Sequence, residues 1–233
     1  MNYEHASPIP VAEASLDVRA TFIMRTYGHL LGGIFAFAAL VTVFIKGGLG
    51  PKMIDAIASV PGGWLLFLGA FMVAGWLGGR MAAQARTLPA QYAGYGIVIL
   101  FQALIFTPLL YIAATYFDGV IFKAGVATMV GFSGLTAIAF ITRKDFSFLG
   151  GILKWGMICA LGLIVASVIF GFTLGLAFSV AMVALAGAAI LYDTSNVLHA
   201  YPHDRYVSAA LALFSSVALM FWYVLQIFMS FDD

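Results

Sequence analysis

Long apolar blocks separated by short polar interruptions organise the chain. They fall at about Tyr27–Ile45, Trp64–Gly79, Tyr92–Tyr116, Val120–Ile141, Phe148–Phe170, from Phe172 to beyond Asp193, and Tyr206–Phe231. A helix rises about 1.5 Å per residue, so roughly 20 apolar residues cross a hydrocarbon core of about 30 Å. The pattern predicts an all-α integral membrane protein with seven spanning helices. Pro108 inside the third block predicts a kink rather than an end, because neighbouring helices can satisfy the carbonyl it frees. The stretch "KGGLGPK" after the first block reads as a helix terminator.

Two regions follow from this pattern: a polar N-terminal segment, 1–26, and a single transmembrane domain, 27–231. Composition agrees. The 233 residues are 63% hydrophobic and 9% charged, whereas soluble domains are about a quarter charged. The formal net charge of +1 gives no electrostatic footprint for nucleic acid. Cys159 is the single cysteine, which excludes an internal disulfide framework and a cysteine metal site. The opening "MNYEHASPIPVAEASLD" lacks the apolar core of a cleaved signal peptide.

Charge orients the bundle. Arg19, Arg25, Arg80, Arg86, Arg143, Lys144 and Arg205 fall on one side, and Lys46, Lys52 and Lys123 on the other. The positive-inside rule then predicts a cytoplasmic N-terminus, and the C-terminus lies outside unless the last block dips in and returns. Lys154 sits within snorkelling reach of the basic side. Gly28–Gly32, Gly75–Gly79 and Gly171–Gly175 have the spacing of close helix contacts.

The polar residues inside apolar blocks need individual explanations. No nucleophile–base pair, zinc spacing or nucleotide loop is present, so no enzyme activity and no cofactor are expected. Pro202 separates His199 from His203, which argues against a metal pair, and His29 reads as an interfacial or packing histidine. Asp145 and Ser147 in "TRKDFSFLG" read as caps of the following helix, and Asp204 as an N-terminal helix residue.

Asp193 is different. A carboxylate at a helix centre in lipid costs about 2.5–3.5 kcal/mol on insertion scales and usually faces the bundle or a watery cavity. "TSNVLHAY" can continue the helix two turns past it, which places Asp193 inside. A position at headgroup level is the alternative. In the last block, Ser208, Ala212, Ser215, Ser216, Tyr223 and Gln226 share about a third of the helix circumference. This small, polar stripe predicts an inward face, for packing or for a narrow aqueous path.

Taken in order, "FIMRTYGHLLGGIFAF", "ALIFTPLLYIAA", "GLTAIAFITRKDFSFLGGIL" and "GAAILYDTSNVLHAYPHDRYVSAALALF" resemble the Bax inhibitor-1 family, also called the transmembrane Bax inhibitor motif or YccA-like family. The resemblance covers nearly the whole chain from Arg19. It implies a seven-helix bundle around a central helix, a pH-controlled calcium leak, a role in cell death in eukaryotes and, in some bacterial relatives, interaction with a membrane-embedded ATP-dependent protease. It also implies that Asp193, in "LYDTSN", is a pH-sensing gate paired with an aspartate of the last helix, with a basic latch supplied by Arg80 or Arg86.

The chain departs from that pattern at the partner. Where the family motif reads "YLDxxNLF", this sequence has "LFSSVALMF", so the aspartate position is Ser216 and the asparagine position Leu219. Two adjacent carboxylates titrate as a coupled pair; a single carboxylate flanked by Ser215 and Ser216 does not. Calcium, which prefers six to eight oxygen ligands, would meet only a weak site at Asp193. The expected function is a pH-modulated calcium or cation leak. The alternative is a non-conducting regulator that binds a membrane-embedded protease or another membrane partner. Compact loops and the resemblance place the protein in a bacterial inner membrane.

Overall fold

The structure, a computed structural model, describes residues 10–60, 63, 67, 69, 80 and 87–232. After a short 3-10 turn at Val11–Glu13, the described helices are α1 (Leu16–Lys46), α2 (Leu49–Ala58), α3 (Leu88–Tyr116), α4 (Val120–Thr142), α5 (Leu149–Phe170), α6 (Gly175–His199) and α7 (Tyr206–Phe231). All except α2 are long and apolar enough to cross a membrane. This makes the protein an all-helical integral membrane protein, with six candidate spans among the described residues. The second expected span, Trp64–Gly79, lies outside them apart from Phe67 and Gly69.

Two boundaries differ from the sequence expectation. α1 begins at Leu16, well before its apolar block. Its 31 residues extend about 46 Å, more than a hydrocarbon core of about 30 Å, so a polar extension continues the helix past the apolar region. The glycines of "KGGLGPK" also do more than terminate. Gly47 closes α1, Gly48 turns at φ +72°, and α2 starts at once. Pro51 is accepted there because amide hydrogens in a first helical turn have no intrahelical acceptor. α3 continues through Pro108, as expected.

At the centre is α7. Leu213 and Leu225 are fully buried and Phe214 nearly so, along with Val217 and Met220. α1, α3, α4 and α6 all pack on it. The inward stripe is therefore part of a helix enclosed on most sides: Ser208, Ser216 and Tyr223 are buried, and so are residues on other faces. Aromatic rings fill the space between α1, α3 and α7. Phe106 lies 5.1 Å from Phe37 and 4.8 Å from Trp222, both edge-on, and stacks on Phe221 at 5.9 Å.

The glycine pairs pack otherwise than their spacing suggests. Gly171 and Gly175 have positive φ and form the α5–α6 turn. Gly28 and Gly32 meet no neighbour among the described residues, whereas at Gly33 α1 and α3 come close, since a Cβ there would collide with the Tyr95 phenol. Gly75–Gly79 is outside the described residues.

The two ends of the bundle differ in charge. The N-terminal part of α1 reaches the C-terminal end of α6 through a bond from Arg19 Nη2 to the Leu198 carbonyl, 3.4 Å. Val11 N–H donates to the Tyr201 carbonyl at 2.9 Å, and Pro10 bridges Pro202. Arg143, Lys144 and Arg205 flank the same end, at the close of α4 and the start of α7. Lys123 lies at the other end, 3.8 Å from Asp232.

Candidate functional site

α6 continues six residues past Asp193, to His199, so the carboxylate lies within the helix and is not its terminus. It is partly buried, and the Ser216 hydroxyl of α7 donates to its Oδ2 at 2.5 Å. That is the short length of a hydroxyl bonded to a carboxylate. The bond joins α6 to the central helix where the two are closely packed.

The neighbouring residues of α6 point to different partners. Thr194 is fully buried, and its hydroxyl lies against the Tyr27 phenol of α1, which also faces Thr136 of α4. None of these three oxygens has a well-formed hydrogen bond among the described residues. Ser195 Oγ accepts from the Phe146 amide at 3.0 Å and fastens the α4–α5 loop. His199 Nδ1 lies 2.9 Å from the Ser195 carbonyl. Beyond the helix, burial pushes the Tyr201 phenol above its ordinary range, and the nearby Asp193 and Tyr192 charges add to the shift. The end of α6 is thus a polar hub contacting α1, α4, α7 and two loops.

The other expected site residues are placed as follows. Ser215 turns back onto its own helix, donating to the Leu211 carbonyl at 2.9 Å. Arg80 is helical and exposed, and Arg86 is outside the described residues. No group of three or more His, Cys, Asp or Glu that could hold a metal occurs among the described residues. Asp193 and Ser216 alone fall short of a calcium cage. His203 is exposed, away from the bonded His199.

The expected caps need correction. Asp145 Oδ1 accepts from Ser147 N–H at 2.8 Å, which closes a turn ahead of α5. The helix itself starts on backbone bonds, from Leu149 to the Phe146 carbonyl and from Gly150 to that of Ser147. The Ser147 amide and then its hydroxyl hold the Asp145 carboxyl below the usual carboxylate range. Asp204 lies in the turn before α7, not within the helix. Sequence reasoning missed Tyr27, Thr136, Ser195 and Tyr201. One Tyr or Thr in an apolar helix gives no sign of which helix it will meet.

A polytopic helical membrane protein whose central helix is bonded to a carboxylate of the preceding span is the class these features define. Residues 19–233 match the family described as "Bax1-I: Inhibitor of apoptosis-promoting Bax1", and the chain belongs to that family. Among similar proteins, Bax inhibitor 1 of Schizosaccharomyces pombe is 29% identical over 94% of this chain and 79% of its own length. A Pseudomonas aeruginosa protein is 38% identical over 47% of this chain. The Modulator of FtsH protease YccA of Escherichia coli is 33% identical over 54% of it. The aligned regions span only about half of these two bacterial relatives, 49% and 58%.

Proposed function

We propose that the protein is a pH-modulated cation leak in which the Asp193–Ser216 contact is a latch between α6 and α7. The 2.5 Å bond between these side chains carries the reading. Ionised, Asp193 holds Ser216 through a charge-assisted bond, roughly twice as strong as a neutral one. Protonation leaves a weaker bond across the same seam, which allows the helices to part. The cation, calcium among the candidates, is cargo: one carboxylate and one hydroxyl do not retain it. A basic residue, Arg80 or Arg86, would add a second hold on the ionised carboxylate and keep the path shut. The chain sits in a bacterial inner membrane with its basic end cytoplasmic, supported by the charge asymmetry and the Escherichia coli relative named an inner membrane protein.

The test is calcium flux into liposomes containing the purified chain, at acid and neutral pH, beside Asp193→Asn. Wild type should show a pH-dependent flux and the variant a pH-independent one. Absence of flux at both pH values, or an unchanged pH response in the variant, rejects the reading.

The relative named a modulator of FtsH protease favours a second reading. Here the chain is a non-conducting, non-enzymatic regulator that binds a membrane protease. It predicts a stoichiometric partner on crosslinking in native membranes, retained by Asp193→Asn. Failure to recover one counts against it.

A further inference from the structure

A groove lined by neither Asp193 nor Ser216 lies between α1 and α3 near the basic end of the bundle. Its volume is about 390 Å³. Gly28, Gly32 and Ala36 of α1 form its floor, and Tyr95 and Ile99 of α3 its wall. A Cβ added at Gly28 or Gly32 would meet nothing within 4 Å among the described residues, so no described helix packs on the floor. One end of the groove is polar. His29 Nδ1 lies 2.7 Å from the Arg25 carbonyl and its Nε2 2.7 Å from the Tyr92 hydroxyl. The Arg25 guanidinium lies 5.4 Å from the Tyr206 ring centre and makes no ion pair among the described residues. No acidic residue lies three or four positions away from it on α1.

A groove with a cationic, aromatic mouth and an apolar floor running down a spanning helix has the polarity of one phospholipid. Tyrosines at such a level mark the headgroup region, and basic pockets between helices take anionic headgroups. Water gains nothing from the apolar floor, and the bilayer supplies chains of the right width. We propose that this groove binds an anionic glycerophospholipid, with its phosphate at Arg25 and one acyl chain along Gly28, Gly32 and Ala36. The argument is independent of whether the protein conducts ions.

The test is the melting temperature of the purified full chain in detergent, with added phosphatidylglycerol or phosphatidylcholine of identical chains. Phosphatidylglycerol should raise it more. Arg25→Gln should bring that shift down to the phosphatidylcholine level, and Arg25→Lys should keep the preference. Gly32→Leu, filling the floor, should abolish the shift from both lipids; if that variant does not fold, Ala36→Leu serves the same purpose. Glycerol phosphate, a headgroup without chains, should have no effect. Equal shifts from the two lipids overturn the proposal, as does a preference surviving Arg25→Gln, a shift surviving the floor variant, or a shift from glycerol phosphate alone.

Discussion

α5 and α7 are both apolar helices of spanning length, yet the structure treats them in opposite ways. Over its most apolar stretch, α7 has 56% of its residues buried, and α5 only 6%. α5 leans mainly on α6, while four helices surround α7. Apolarity does not make the difference, since α5 has the higher hydropathy. In a bilayer the lipid is as apolar as leucine, so position is decided by side chains that permit close approach or need a polar partner. α7 carries Ser208, Ala209, Ala210, Ala212, Ser215, Ser216 and Ala218, small residues spread around its circumference that let helices approach from several sides. α5 turns Trp155, Ile158, Ile169 and Phe170 outward.

The sharpest way to break this contrast is truncation in each helix. Leu213→Ala on α7 should cost about 2–5 kcal/mol, whereas Ile158→Ala on α5, 70% exposed, should fall within about 0.5 kcal/mol. Thermal or detergent unfolding checks both, and comparable losses would dissolve the distinction between core and periphery.

Next in size is the α6–α7 bond. Ser216→Ala removes a hydrogen bond to a charged group and should cost about 1.5–3 kcal/mol at neutral pH. Ser215→Ala, whose hydroxyl serves its own helix, should cost much less. A cycle of Ser216→Ala with Asp193→Asn measures the coupling, and zero coupling would mean the contact has no energetic weight.

The α1 glycines give a third comparison. Gly33→Ala forces Tyr95 aside and should destabilise by about 1–3 kcal/mol. Gly32→Ala meets nothing among the described residues and should be neutral or gain up to about 1 kcal/mol from helix propensity. Parallel melting curves decide between them.

The smallest expected effect concerns the turn before α5. Asp145 is held below its ordinary value, so its contribution is present above that value and fades as pH falls through the folded one. Asp145→Asn should therefore melt below wild type near neutral pH, and the two curves should converge in acid. A constant offset down to acid pH would assign the effect to something other than the carboxylate.

Much of the fold was legible because lipid imposes a length. α3 to α7 fall where the apolar blocks placed them, to within a few residues at most ends. The continuation of α6 past Asp193 was also legible, since nothing in "TSNVLH" stops a helix. α2 was hidden because glycine and proline signal a break without saying whether another helix starts after it. In the site, the carboxylate and Ser216 could be found from the sequence. The meeting of Tyr27 with Thr136 and Thr194 could not, because spacing along one helix says nothing about the rotation of its neighbours. Gly171–Gly175 became a turn and Gly28–Gly32 meets no described helix for a related reason: a GxxxG spacing describes a flat face, and only the partner decides whether that face is used.

The bonds from Val11 to Tyr201 and from Pro10 to Pro202 have a consequence for the order of assembly. The residues they join are far apart in the sequence, so during synthesis the first must wait for the second. At about 5–20 residues per second the delay is roughly 10–40 s, during which α1 is already in the bilayer and Val11 is uncovered. The strap therefore closes only after α6 has been threaded, and α7, the central helix, follows it into the bundle. Protease added to membranes bearing stalled nascent chains should cut near Val11 until Tyr201 has emerged, and cut poorly afterwards.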